Sequence, residues 1–252
     1  MMSRIVTPEV LDGLDGEDPH AVRSRRDLQR VHRVMGTRST VVRAFQSACD
    51  GHPRTAAFHV LELGAGDGSL MLGVARALAG KWTDLHLTLL DRQDLVTSET
   101  LAAYRDAGWS ATACVADALV WAESRAEQRP SRPHAGGRWD LIIVNLFLHH
   151  FEGAALTTLL GGIEQNADRF IACEPARSRL ALAGSHLVGL IGAGPVTRGD
   201  AVLSVHAGFR VGEMSSTWPN AKSMWDTAEH SAGLFSQCFV AQRKGLWKVG
   251  SP

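Results

Sequence analysis

Short apolar segments alternate with amphipathic segments along most of this chain. The predicted buried strands are AAFHVLELG, LHLTLLD, ATACVAD, WDLIIVNLFLHHF and RFIACEP. Helical patterns follow the first, second and fourth strands, as in Leu70, Val74 and Leu78, which recur at a spacing of four. Strands alternating with helices are typical of a mainly parallel sheet covered on both faces, which predicts an α/β fold.

The two ends of the chain depart from this alternation. The segments SMWDTAEHSA and LFSQCFVAQRK near the C-terminus predict an antiparallel hairpin at the edge of the sheet. Residues 1 to about 20 have an irregular polar pattern, and a helical stripe with Leu28, Val31, Val34 and Met35 on one face follows. We predict a helical arm or lid over residues 1–50 and a main domain over 51–252. Because the sheet is complete without it, the lid should be mobile until an acceptor binds.

Composition and charge exclude several classes of protein. The chain has 252 residues, with 26 Lys plus Arg and 26 Asp plus Glu, so net charge provides no general attraction to nucleic acid or to an anionic membrane. Its four cysteines form no Cys-x-x-Cys pair, which is typical of reduced thiols. No apolar run approaches the roughly 20 residues of a membrane helix. We expect a cytoplasmic protein that binds neither nucleic acid nor membrane, as a monomer or homodimer.

A glycine-rich loop follows the first predicted strand in VLELGAGDGSL. Its glycines are Gly64, Gly66 and Gly68, a spacing that differs from the Gly-x-Gly-x-x-Gly of dinucleotide-binding folds. Glycine permits positive φ and lets a ligand approach the backbone. In an open parallel sheet, ligands bind beyond the carboxyl ends of the strands, where this loop should lie. With Glu62 just inside the strand, the pattern predicts a cofactor loop.

Acidic residues end the second and third predicted strands. Asp91 can accept both ribose hydroxyls of an adenosine, whether in NAD or in another adenosyl cofactor. Asp117 can accept a hydrogen bond from an adenine amino group, or it can cap the following helix. The residues themselves leave both interpretations of Asp117 open.

The ordered set ELGAGDG, Asp91, ADA and NLFLHHF resembles the class I S-adenosylmethionine-dependent methyltransferases from about Ala56 to the C-terminus. The resemblance implies S-adenosylmethionine as cofactor and a Rossmann-like sheet of seven strands, mainly parallel, with an antiparallel last strand. The cofactor-binding residues that it implies are Glu62, Gly64, Ala65, Gly66, Gly68, Asp91, Arg92, Asp117, Ala118, Asn145 and Leu146. The N-terminal helices and the segment CEPARSRLALAGSHLVGLIGAG look like the lid and roof of small-molecule enzymes, loosely those modifying polyketide-type or phenolic metabolites.

Two adjacent histidines after the fourth strand are the candidate catalytic residues. A histidine can serve as general base near neutrality. Since successive side chains diverge on a turn, we expect His149 to face the acceptor and His150 to be more buried and hydrogen-bonded. A structural role for both histidines stays open. Glu174 can orient the acceptor or pair with Arg177 or Arg179, and pairing is the expectation.

The predicted function is therefore methyl transfer to a small acceptor, as O-methylation of a phenolic or polyketide-derived hydroxyl. C-methylation of a similar metabolite uses the same geometry. A nicotinamide-dependent oxidoreductase would need a later third glycine and a Tyr-x-x-x-Lys pair, which Tyr104 does not form. A non-catalytic partner with this fold is the third alternative. No metal is expected, because the histidines lack a carboxylate at helical spacing.

Overall fold

The computed structural model describes residues 2–49, 57–82, 84–124, 137–220 and 223–245. The strands are β1 Phe58–Leu63, β2 Leu85–Asp91, β3 Ser110–Val115, β4 Leu141–Asn145, β5 Arg169–Pro175, β6 Trp225–Ser231 and β7 Ser236–Arg243. They form one sheet in the order β3-β2-β1-β4-β5-β7-β6. The first five strands are parallel, and β7 runs antiparallel to both β5 and β6. The predicted fold class and the C-terminal hairpin are confirmed.

Helices cover both faces of this sheet. They are α1 Pro19–Met35, α2 Thr37–Ala48, α3 Ser69–Ala77, α4 Ser98–Asp106, α5 Ala118–Glu123, α6 Gly153–Asn166, α7 Arg179–His186, α8 Pro195–Ala207 and α9 Glu213–Thr217. Within the described parts of the chain, the connections contain the 3-10 turns Leu11–Gly13, Leu148–His150 and Val188–Ile191. One apolar core contains Phe45, Phe58 and Trp109, and the other contains Trp121 and Phe170. Helices on two faces explain why the central strand β4 is apolar on both of its faces from Leu141 to Val144. Among the described residues, no helix has the length and apolar character to cross a membrane.

The two N-terminal helices differ in their role. Local signals bound α1: Asp18 caps it by accepting from His20 N, and Gly36 ends it with φ 68°. The helix α2 buries Val41 and Phe45 in the main core, whereas α1 lies over the open end of the sheet. The boundary predicted between residues 50 and 51 lies outside the described residues. Mobility of the N-terminal segment stays a prediction, and it concerns α1 and the arm before it, since α2 belongs to the core.

The fourth strand is shorter than its apolar run predicts. It ends at Asn145, because Leu146 has φ 52°, a left-handed conformation that breaks the ladder. The next residues form the 3-10 turn Leu148–His150 instead of continuing the strand. This change brings the residues after β4 to the carboxyl ends of the parallel strands, beside the glycine loop.

Candidate functional site

A cavity of about 940 Å³ opens at the carboxyl ends of β1, β2 and β4. Its floor is the glycine loop and the residues that follow β2 and β4, and α1, α7 and the 3-10 turn Val188–Ile191 line its other side. Its volume is near the upper end of the range of about 300–1,000 Å³ typical of small-molecule sites. The predicted site residues His149 and His150 both line it, and which of them faces the acceptor stays a prediction.

The glycine loop adopts a conformation that requires its glycines. Gly64, Gly66 and Gly68 have φ of 72°, 56° and 73°, which L-residues with side chains rarely adopt. A Cβ on Gly64 would lie 2.3 Å from the Phe147 ring, whereas one on Gly66 would meet nothing within 4 Å among the described residues. Since Gly66 lines the cavity, its bare backbone faces open space that a ligand can occupy.

Asp91 at the end of β2 fixes the loop. Its Oδ2 accepts a hydrogen bond from Gly66 N at 2.8 Å, and its Oδ1 accepts one from Gln93 N at 3.0 Å. A carboxylate offers about four lone-pair positions, so two are left for a ligand. Asp91 also lines the cavity. The residue therefore orients the glycine loop and can still accept from hydroxyl groups.

Two buried oxygens beside the loop have no hydrogen-bond partner among the described residues. They are Glu62 Oε2 and Asn145 Oδ1, and the other atoms of these groups form one bond, from Asn145 Nδ2 to Glu62 Oε1 at 3.4 Å. Burial raises the pKa of Glu62 to about 8. The hydrogen bond from Asn145 opposes this shift, and the charges of Asp91 and Asp67 add to it. A buried acceptor without a donor is costly, so this pair is suited to a ligand that brings N–H groups.

The remaining predicted cofactor residues divide into two groups. Ala65, Ala118 and Leu146 line the cavity with small or apolar surface. Asp117 caps α5, since its Oδ1 accepts from Leu119 N at 2.7 Å and Val120 N at 3.1 Å. Asp117 therefore caps α5 through Oδ1, while its Oδ2 is available to a ligand at the cavity wall. Arg92 donates to the backbone oxygen of Asp12 on the N-terminal arm.

These residues fit S-adenosylmethionine. The unpartnered acceptors on Glu62 and Asn145 match a cationic ammonium, and the free backbone of Gly66 permits close approach. Asp91 matches the ribose hydroxyls, and Oδ2 of Asp117 matches an amino group. No geometry of the bound molecule follows from this match, but the cavity offers a group of suitable chemistry for the ammonium, the ribose hydroxyls and the adenine amino group.

Glu174 at the end of β5 organises the turn that carries the histidines. Its Oε1 accepts from Phe147 N and Leu148 N at 3.0 and 2.8 Å, and its Oε2 accepts from the His149 ring at Nδ1 at 2.8 Å. The prediction that Glu174 pairs with Arg177 or Arg179 is wrong, because these donors satisfy the carboxylate. Arg177 instead pairs with Glu213.

The relative burial of the two histidines is opposite to the prediction. The His149 side chain is 3% exposed, whereas that of His150 is 20% exposed. A hydrogen bond from Nδ1 to Glu174 holds the buried His149 ring, and the other ring nitrogen, Nε2, lies on the cavity side. His150 lies outside this pair, with its ring 4.2 Å from that of His149 and tilted by 33°.

The N-terminal arm contributes two carboxylates that sequence reasoning missed. Glu9 Oε1 lies 3.3 Å from His149 Nε2, and Asp12 Oδ2 lies 3.1 Å from His150 Nδ1. Arg4 fixes the arm by donating to the carbonyl oxygens of Ala207 at 2.8 Å and Phe151 at 2.8 Å. No periodicity or motif marks these acids in the sequence, since their partners lie about 140 positions away.

The two carboxylates on His149 determine its charge. Burial by itself lowers the pKa of His149, but the hydrogen bonds that the ring donates to Glu174 and Glu9 and the charges of both carboxylates overcome it and raise the pKa to about 9. In turn, the His149 bond lowers the pKa of Glu9 although burial acts in the other direction. At neutral pH, His149 is therefore an imidazolium between two carboxylates in this acceptor-free arrangement.

The same arrangement bears on the expectation of no metal. Ligand atoms of Glu9, His149 and His150 lie within 4.8 Å of one another, so tertiary structure supplies the carboxylate that the spacing lacked. Each of these atoms already has a polar neighbour, because Nε2 of His149 faces Glu9 and Nδ1 of His150 faces Asp12. Proton-mediated pairing therefore accounts for the cluster as it stands.

His32 on α1 is a further cavity residue that the sequence did not indicate. Its Nε2 is buried with no hydrogen-bond partner among the described residues. Burial lowers the pKa of His32 to about 4, although the charge of Asp67 opposes the shift. The ring is therefore neutral near pH 7 and presents an unused nitrogen close to the glycine loop.

Comparison with known proteins shows the fold. No protein-family model and no curated protein matches the sequence. The plantazolicin methyltransferase BpumL in complex with SAH superposes with a TM-score of 0.62 at 12% identity, over 90% of this chain and 92% of BpumL. BamL, a plantazolicin methyltransferase in complex with a triazolic desmethylPZN analog and SAH, superposes with a TM-score of 0.63 at 11% identity, over 91% of this chain and 93% of BamL. Magnesium protoporphyrin IX methyltransferase (ChlM) from Synechocystis PCC 6803 with bound SAH superposes with a TM-score of 0.56 at 20% identity, over 91% of this chain and 96% of ChlM.

Identities this low establish architecture and no more. The alignments nevertheless span nearly the whole of each chain. The chain therefore has the fold of the class I S-adenosylmethionine-dependent methyltransferases, as its sequence motifs implied.

Proposed function

We propose that this protein is an S-adenosylmethionine-dependent methyltransferase acting on a small acceptor. The observation that carries the proposal is the pair of unpartnered buried oxygens, Glu62 Oε2 and Asn145 Oδ1, beside a loop with three left-handed glycines. When bound, the cofactor supplies an electrophilic methyl group on a sulfonium. The protein would hold it through Glu62 and Asn145 at the amino-acid end, Asp91 at the ribose and Asp117 at the adenine.

The surroundings of His149 support a neutral hydroxyl on an aromatic ring as the acceptor. Phe147 and Phe151 line the cavity next to His149, with ring centroids 5.1 Å apart in an edge-to-face arrangement. Such rings provide stacking surface for a phenol. A carboxylate acceptor fits less well, because it is already ionised at neutral pH and has no proton for His149 to remove. O-methylation of a phenolic hydroxyl is therefore the reaction we propose.

His149 would accept the proton of that hydroxyl. With both carboxylates in place the imidazole is protonated at neutral pH and cannot act as a base. An acceptor hydroxyl that takes the place of Glu9 at Nε2 would remove one of the two carboxylates and lower the pKa. Glu174 would keep Nδ1 protonated and so direct the basic nitrogen, Nε2, at the acceptor. Methyl transfer then depends on alignment of the nucleophile in a water-poor cavity.

Rearrangement of the N-terminal arm would follow from the same contacts. The arm meets the His149 ring through Glu9, and Ser204 on α8 donates to the same carboxylate. We propose that the arm rearranges when the acceptor enters. Hydrogen exchange should show residues 2–13 changing protection when cofactor product and acceptor are added together. Unchanged protection would indicate a permanently docked arm.

Two measurements test the proposal. Calorimetric titration with S-adenosylhomocysteine and with NADH should give micromolar-range binding of the first only, which separates methyl transfer from hydride transfer. Incubation with S-adenosylmethionine and a panel of phenols should then give methyl ethers by mass spectrometry. Ring-methylated products would indicate C-methylation, and binding without any turnover would indicate a non-catalytic role. Activity that resists EDTA would confirm that no metal bridges Glu9, His149 and His150.

A further inference from the structure

Three large apolar side chains at the edge of the cavity are more than half exposed. They are Val34 on α1 at 67%, Leu187 at the end of α7 at 58%, and Leu190 in the 3-10 turn at 82%. All three also line the cavity. Single exposed apolar residues are common on protein surfaces, but several around the mouth of one cavity indicate a binding surface. We define these three residues as the rim.

Buried polar contacts hold the rim in place. Asp27 on α1 is 1% exposed, and its Oδ2 accepts from Gly194 N at 2.7 Å just beyond the 3-10 turn. Ser24 Oγ lies 2.9 Å from Thr197 Oγ1 on α8. These contacts join α1 to the segment carrying the turn, so the two sides of the rim are positioned together. The exposure of the rim is therefore a feature of the packed structure.

The wall inside the rim is apolar as well. On α1, Val31 and Leu28 line the cavity about one and two turns before Val34. On the opposite side, Val188 and Phe235 line it next to Leu187. Gly184 allows Phe235 to reach this place, because a Cβ there would lie 2.6 Å from the ring. An apolar surface thus runs from inside the cavity to the solvent.

We infer that the acceptor is a phenol bearing an alkyl chain, with the chain leaving the cavity along this wall and past the rim. The inference rests on the proposed function, since it takes His149 as the position of the hydroxyl. A small unsubstituted phenol would leave the wall and the rim in contact with water. An alkyl chain would cover both, and each methylene transferred from water strengthens binding by up to about fourfold.

A chain-length series measured as binding tests the inference apart from turnover. The probes are phenol, 4-propylphenol, 4-hexylphenol and 4-nonylphenol, titrated into the full-length protein saturated with S-adenosylhomocysteine. The variant is Leu187→Asp/Leu190→Asp, which places charge on the rim at exposed positions. The matched control is Leu180→Asp, because Leu180 on α7 is 54% exposed and does not line the cavity. Thermal denaturation checks that each variant is folded.

We expect affinity to rise with chain length, by at least tenfold from propyl to nonyl. The rim variant should lose that increase while binding propylphenol normally, and Leu180→Asp should behave as the unmodified protein. Equal affinity for all four phenols would overturn the inference, as would equal losses in the rim and control variants. Binding of S-adenosylhomocysteine with no binding of any phenol would also overturn it but would leave methyl transfer standing. Adsorption to phosphatidylcholine vesicles through the rim, without chain-length dependence in solution, would assign the surface to a membrane instead.

Discussion

The two ends of the cavity differ in how their polar groups are satisfied. At the end proposed for the cofactor, the cofactor end, Glu62 Oε2 and Asn145 Oδ1 are buried with no partner among the described residues. At the end proposed for the acceptor, the reacting end, both ring nitrogens of His149 face carboxylates, Glu174 at 2.8 Å and Glu9 at 3.3 Å. Under the proposed function, a ligand that brings donors fits the cofactor end as it stands, whereas an acceptor at the reacting end would have to replace an existing partner.

This difference indicates an order of events. Unsatisfied buried acceptors stabilise the bound state relative to the free state, so the cofactor end should bind without rearrangement. A saturated ion pair costs free energy to open, so the reacting end should open only for an acceptor that replaces the lost contact. The protein would therefore bind its cofactor first and open its arm second.

Removal of the proposed base should have the largest effect. His149→Ala should lower turnover about 100- to 10,000-fold, the typical contribution of a general base. Affinity for S-adenosylhomocysteine, measured by calorimetry, should change little because the residue belongs to the reacting end. The loss should be smaller for phenols of lower pKa, which need less help to ionise. The matched variant His150→Ala removes the neighbouring, more exposed ring and should retain most of the activity; equal losses would point to a structural role for the turn.

Filling the open space above the glycine loop should abolish binding at the other end. Gly66→Val places a side chain in the cavity, where a Cβ meets nothing within 4 Å of the described protein. Left-handed φ also strains the variant by about 1–2 kcal/mol. Gly80→Val is the control, since Gly80 has φ 72°, equally open surroundings and no place in the cavity wall. Both variants should be less stable than the unmodified protein, and only Gly66→Val should fail to bind S-adenosylhomocysteine in a calorimetric titration. Unaltered affinity in a folded Gly66→Val protein would remove the loop from the cofactor site.

Asp91 should show an intermediate effect at the cofactor end. Asp91→Ala removes the acceptor of Gly66 N and the proposed ribose contact, so cofactor affinity should fall by about 1–3 kcal/mol. The loss should be the same with and without acceptor, because the residue lies apart from the histidine. Titration of S-adenosylhomocysteine in both conditions measures this. A variant that binds the cofactor normally but fails to bind acceptor would contradict the assignment.

The arm carboxylate sets the pH range in which His149 is basic. The groups facing His149 are Glu174, Glu9, the His150 ring and, at its backbone oxygen, Arg4. Since the pKa is raised to about 9, kcat/KM should rise as the pH increases toward 9. Glu9→Gln removes one of the charges that raise the pKa of His149, so the increase in kcat/KM should occur at lower pH. The raised pKa also stabilises the fold fully below about pH 6.5, and that stabilisation should be lost as the pH rises through about 9. Identical pH profiles in the two proteins would show that Glu9 does not act on His149.

The smallest effect should be a proton released on cofactor binding. Glu62 has a pKa of about 8 in the free protein, so it is mostly protonated at pH 7. Contact with an ammonium favours the carboxylate, and binding should release up to about one proton. Calorimetry of S-adenosylhomocysteine in buffers of different ionisation enthalpy measures the release, which should vanish in Glu62→Gln and above pH 9. Because ionised Glu62 is unfavourable when buried, the free protein should lose stability between about pH 4.5 and 8. Buffer-independent binding in the unmodified protein at pH 7 would mean that Glu62 does not meet the ammonium.

The sequence by itself determined the sheet and the glycine loop with Asp91 beside it. Alternating apolar strands and helices, the glycine spacing and the position of Asp91 are local signals, each readable within about thirty residues. Even helix limits such as Asp18 and Gly36 depend on neighbouring backbone groups alone. Local propensity and the pairing of consecutive parallel strands suffice for these features.

Only the tertiary structure decided the reacting end. Glu9, His149 and Glu174 come from three separate elements, and neither the burial of His149 nor its carboxylate partners could be read from NLFLHHF. The sequence therefore predicted the wrong histidine as the buried one and the wrong partner for Glu174. The physical reason is that charge state and burial depend on which groups meet in space. Contacts across about 140 positions leave no periodic trace in the chain, whereas a turn or a strand does.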